Sequence, residues 1–162
     1  MHGGIALNVV SWAVFIGFAL PLAIIDVREH RLPNRLLAFA VPAGLAVLGI
    51  NVGLAGDWSA LLRIFTSSAF TFLGLLALAL VSRGALGMGD VKLGLFTGAY
   101  LGWLGWEASL WGTVLGLSLA GVYATALLIA GRANRRTPIP LGPFLLAGVA
   151  ALGLVPVLPT LA

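Results

Sequence analysis

Two short stretches hold most of the residues that can do acid–base chemistry in a chain otherwise nearly free of charge. In "LGMGDVKLG" (86–94) an aspartate, Asp90, follows Gly87-Met88-Gly89 and precedes Lys92. In "IIDVREHRLPNRL" an apolar run ends on Asp26 and a basic patch follows, with Arg28, Arg31 and Arg35 around Pro33 and Asn34. Two carboxylates that share a proton can activate a water, one taking its proton while the other protonates a carbonyl oxygen. Glycines at 87 and 89 suit such a site, because the missing Cβ lets a substrate backbone approach and permits unusual dihedrals. Spacing alone favours a plainer account: Asp90 as an N-cap after a Gly-x-Gly turn, and Asp26 as an interfacial charge paired with Arg28 or Arg31. A dinucleotide loop fits less well, because Lys92 stands where a third glycine belongs and no strand precedes the glycines.

The elements that must carry these residues are set by composition. The 162 residues are 60% hydrophobic and 9% charged, with a mean hydropathy of +1.10; soluble domains carry about 25% charged residues. Ile5–Ile25, Leu36–Gly56, Ile64–Ser82, Ala108–Gly131 and Thr137–Ala162 contain no Asp, Glu, Lys or Arg. Each approaches or exceeds the roughly 20 apolar residues needed to cross a bilayer core as a helix. A shorter sixth segment, Val91–Trp106, has Lys92 near its start. The pattern predicts an all-α membrane protein: a polytopic bundle of six transmembrane helices forming a single domain over 1–162. The runs are continuous rather than alternating, unlike β-barrel strands. The first lacks a basic leader and is long for a cleaved signal. The absence of cysteine excludes disulfides, thiolate zinc sites and thiol catalysis. His2 and His30 are too few for a histidine-rich metal site, so no metal or cofactor is expected.

A net charge of +4 does not point to nucleic acid once the charges are placed. With six alternating spans, every lysine and arginine but Arg63 falls in the first, third or fifth loop: Arg28, Arg31, Arg35, Arg83, Lys92, Arg132, Arg135 and Arg136. This bias puts those loops inside and both termini on the extracytoplasmic side. The cations are then topology signals beside anionic lipid. Asp26 and Asp90 fall at the same cytoplasmic boundary, at the end of the first helix and the start of the fourth. Asn34 after Pro33 is read as a cap for the second helix, and Gly56-Asp57 as an outer turn. Gly102 and Gly105 allow a close turn or close packing, and the abundant glycines predict small-residue helix contacts. Pro138, Pro140 and Pro143 resist a regular start to the last helix.

With these residues in order, the chain resembles the prepilin peptidases (type IV leader peptidases), membrane aspartic proteases of the GxGD class. Asp26 with Arg28, Arg31, Leu32, Pro33 and Asn34 is similar to that family's aspartate and its following basic loop. Gly87-Met88-Gly89-Asp90-Val91-Lys92-Leu93 matches its GxGD block, and "PLGPFLLAG" its Pro-x-Gly-Pro-Phe segment, with Leu141 where Phe is frequent. The resemblance implies that Asp26 and Asp90 are catalytic, that Gly87, Gly89 and Lys92 shape the second site, and that Pro33 and Asn34 set the start of the second helix. It also implies cleavage, at the cytoplasmic face of the plasma membrane, of basic leaders from prepilin or pseudopilin precursors. Long members carry a cysteine-containing region that methylates the product. This chain lacks cysteine and resembles the short, peptidase-only branch, so no methyltransferase activity is expected. Two other readings stand beside this one. Presenilin-like GxGD proteases pair the motif with Tyr-Asp on the preceding helix, whereas here the first aspartate follows Ile25, three helices earlier. A scaffold or transporter subunit would need no dyad, but transporters place polar groups near the midplane.

Overall fold

In a computed structural model of the chain, residues 2–82, 86–132 and 140–154 are described. They form six helices: α1 (His2–Glu29), α2 (Asn34–Leu54), α3 (Trp58–Val81), α4 (Met88–Leu104), α5 (Trp106–Ile129) and α6 (Gly142–Leu154). Arg83, Arg135, Arg136 and Pro138, read above as topology signals or a helix breaker, lie outside the described residues. Four helices (α1, α2, α3 and α5) are long and apolar enough to cross a membrane. With no water in the bilayer core to take backbone hydrogen bonds, a helix is the form that satisfies every N–H and C=O within one segment.

The helix α4 lies at the centre. At 17 residues it spans only ~26 Å at the α-helical rise, yet most of its residues are buried on all sides. It packs on α2, α3, α5 and α6. This explains why its sequence carries no one-sided apolar stripe: it has no single lipid face. Its closest neighbour is α3, approached along Gly94, Gly98 and Gly102. A Cβ on Gly98 would lie 2.7 Å from the Ser67 carbonyl oxygen, and one on Gly102 2.7 Å from that of Arg63. Small residues spaced four apart thus let two backbones touch, the expected substitute for a hydrophobic driving force between helices in lipid. On the opposite side Phe15, Phe96 and Tyr100 cluster with ring centroids 4.9 to 5.7 Å apart, Phe15 stacked on Phe96 and Tyr100 tilted against both.

The helix ends are closed locally. The Asp57 carboxylate accepts from the Ala60 N–H at 2.9 Å and the Ser59 hydroxyl at 2.7 Å, capping α3 after Gly56 at φ +72°. Those bonds, the Ser59 hydroxyl foremost, hold the Asp57 carboxyl below the usual carboxylate range. Gly105, at φ 143°, is the single residue between α4 and α5, a conformation that side chains rarely adopt. Arg63, the cation set apart by the charge pattern, donates from Nε to the Gly102 carbonyl at 2.6 Å and so caps the exit of α4. Asn34 does not cap α2, contrary to the sequence reading. Pro33 occupies the N-cap position with extended backbone, and no side chain closes the turn. The Asn34 oxygen is engaged elsewhere.

Candidate active site

Ser11, Phe15, Ala19, Leu22 and Asp26 recur on α1 at spacings of three and four, and all are buried. Asp26 is therefore the last member of the inward stripe, while Ile16, Leu20, Ile24 and Val27 face outward. It is 3% exposed, too enclosed for the interfacial pairing with Arg28 or Arg31 that spacing suggested. One turn later the helix ends at His30, which has a positive φ of 51°. The chain then doubles back through Leu32 and Pro33 into α2.

The other carboxylate enters from α4. Gly87 is the N-cap of that helix and Asp90 its third residue, with no side-chain cap hydrogen bond, so the capping role is overturned. Asp90 instead turns inward at 8% exposure and lines the same cavity as Asp26. Its Oδ1 is enclosed and accepts no hydrogen bond from the described residues. The third contributor is α6, whose first residue, Gly142, donates its N–H to Asp26 Oδ2 at 3.0 Å. Three helix ends thus converge, and a cavity of about 270 Å³ opens beside them, with Asp26, Asp90, His30, Leu32, Asn34 and Lys92 in its lining.

The flanking residues do more specific things than their spacing suggested. Gly87 has ordinary extended dihedrals (φ −68°, ψ 142°) and Gly89 is helical, so neither needs an unusual backbone conformation. What both need is room. A Cβ on Gly87 would lie 3.2 Å from Asp90 Oδ2, and one on Gly89 2.8 Å from the Cβ of Leu32. The ammonium of Lys92 donates to Asn34 Oδ1 at 2.8 Å, tying α4 to α2 across the cavity wall. Its hydrogen bond goes to an amide oxygen, so it shapes the wall of the site by holding α2 beside α4. Pro33 stands behind the wall at the start of α2 and does not line the cavity. Among the described residues no three His, Cys, Asp or Glu side chains converge as a metal site.

Sequence reasoning assigned no role in the site to Gly142. The signal was present as a glycine between prolines at the start of an apolar run, but nothing local shows that its N–H meets Asp26. The chemistry available is that of two neighbouring buried carboxylates, one held by a peptide N–H and the other with a free oxygen, beside an open cavity.

Fold and site together describe a helical membrane protein with paired carboxylates at one end of its bundle. Residues 13–157 match the Type IV leader peptidase family, and the chain belongs to that family of peptidases. It is 32% identical over 145 residues to the prepilin leader peptidase/N-methyltransferase of Bacillus subtilis, covering 90% of this chain and 55% of that protein. It is 34% identical over 157 residues to the protein of the same description in Burkholderia pseudomallei, covering 92% and 49% respectively. The chain thus spans about half the length of these curated relatives. No solved structure gives a significant match.

Proposed function

We propose that this chain is an aspartic endopeptidase that removes the leader from type IV prepilin-like or Flp-type precursors, with Asp26 and Asp90 as its catalytic pair. The observation that carries this reading is the convergence of both buried carboxylates, from α1 and α4, on one open cavity. In the mechanism, one ionised carboxylate takes a proton from water as the water attacks the scissile carbonyl. The other, protonated, gives its proton to the carbonyl oxygen, and the resulting tetrahedral species collapses with proton return to the leaving nitrogen. No further group is needed for that proton cycle.

The family match and the two curated names support prepilin as the substrate. Purified protein incubated with a prepilin precursor should release the mature form; no cleavage of any pilin-like precursor would leave a non-catalytic membrane scaffold as the better reading. Supplied with S-adenosylmethionine, the same reaction should give a mature N-terminus of unmodified mass. A gain of one methyl group would assign both activities in the relatives' name to this chain.

We place the site at the cytoplasmic face of the plasma membrane. Arg28, Arg31 and Arg35 flank the end of the bundle that carries the carboxylates, and this clustering supports the assignment. A cysteine at Arg31 should react with an impermeant maleimide only from the cytoplasmic side, and one at Asp57 only from outside. The reverse labelling would put the carboxylates on the wrong face.

A further inference from the structure

The segment "PLGPFLLAG" enters α6, and its first helical residue reaches the carboxylate pair. The first N–H groups of a helix have no acceptor within it, and Gly142 is buried, so its N–H needs a partner from elsewhere. That partner is Asp26 Oδ2, 116 positions away in sequence, at 3.0 Å. Asp90 lines the same cavity as Asp26. A side chain at this position has no space: a Cβ would sit 2.7 Å from Asp26 Oδ2 and 3.4 Å from Leu93 Cδ2. The start of α6 is itself held firmly. Leu145 and Val149 are buried, and the backbone at Phe144 and Leu145 lies so close to Gly116 of α5 that a Cβ there would meet the Phe144 carbonyl oxygen at 2.9 Å.

We propose that Gly142 is a positioning residue for the reaction: its N–H, presented by the anchored start of α6, fixes the Asp26 carboxylate against Asp90, and only glycine lets the two approach. This rests on the proposal that Asp26 and Asp90 are the catalytic pair. The physical effect is preorganisation. A carboxylate free to rotate at the end of α1 would have to be oriented afresh in each turnover, and misplacement by about 1 Å can cost roughly 100-fold in rate. The carboxylate–amide hydrogen bond is also charge-assisted, and therefore stronger than a neutral pair.

Gly142→Ala tests this by kinetics on a prepilin substrate. The expected result is a kcat loss of roughly 100-fold with KM within about twofold, since the substituted atom faces the carboxylate. A kcat within about threefold of the parent, or a loss borne equally by KM, overturns the positioning role. A second measurement needs only the parent and Asp26→Asn, and serves if the alanine variant does not fold. With glycine-selective ¹⁵N labelling in micelles, the Gly142 amide proton should resonate downfield in the parent. It should move upfield in Asp26→Asn, because an amide oxygen is a weaker acceptor than a carboxylate. An unchanged resonance overturns the proposal. The two failures are distinguishable: cleavage retained by Asp26→Asn and Asp90→Asn refutes the catalytic pair, whereas inactive Asn variants beside an active Gly142→Ala refute only the role of Gly142.

Discussion

Asp26→Asn and Asp90→Asn should each lower kcat/KM for prepilin cleavage by about 10³-fold or more, the scale of a lost general acid or base, while leaving the helical bundle intact. The exchange is isosteric, and at position 26 it keeps an oxygen to accept the Gly142 N–H that Asp26 now receives at 3.0 Å. At position 90 it replaces an ionisable group in a buried site by a neutral one of the same shape. Loss of activity with unchanged unfolding would therefore report chemistry. Near-native activity in either variant would reduce that aspartate to a structural role. The parent enzyme should show a bell-shaped pH profile, because the pair works with one proton and is idle with none or two. Its two limbs belong to the coupled pair and to neither residue alone. A flat profile from about pH 4 to 9 in folded enzyme would argue against a shared proton. Lys92→Ala should cost far less, since its ammonium is bonded to Asn34 and touches the reaction only through the cavity wall.

Gly98→Leu should destabilise the bundle by about 3 kcal/mol or more, at the upper end of overpacking costs. A Cβ at Gly98 would meet the Ser67 carbonyl oxygen at 2.7 Å, Thr71 Oγ1 at 2.8 Å and the Ser68 Cα at 2.9 Å. Two of these are backbone atoms of α3 and cannot rotate aside. The helices must separate, and Ser68, whose hydroxyl donates to the Leu95 carbonyl at 2.8 Å, would lose its partner as well. Denaturation in mixed micelles measures the loss. Gly74→Ala is the control: it lies on the facing helix α3 with nothing within 4 Å of its added Cβ, and should be neutral or slightly stabilising. A Gly98→Leu protein as stable as the parent would refute the close α3–α4 contact.

The sequence by itself determined the elements. Charge-free runs long enough for a bilayer have one economical form, the helix, because every backbone group must find its partner within the segment. Each of the five charge-free runs and Val91–Trp106 holds most of one of the six helices; polar ends such as Arg28 and Arg63 extend α1 and α3 beyond their runs, and Thr137–Ala162 is described as helix only over Gly142–Leu154. The two aspartates were legible as candidates for the same reason: charge is costly in such a chain. Spacing alone could not choose between chemistry and capping. Tertiary structure decided that Gly87, not Asp90, is the N-cap of α4, and that Asp26 continues the buried stripe of Phe15, Ala19 and Leu22. It decided that Lys92 binds Asn34, and it brought Gly142 to Asp26. A local pattern states which face of a helix is apolar or where a turn falls. The meeting of α1, α4 and α6 depends instead on how closely the glycine faces of α4 and α5 let neighbouring backbones approach, a distance set by packing between segments far apart in the chain.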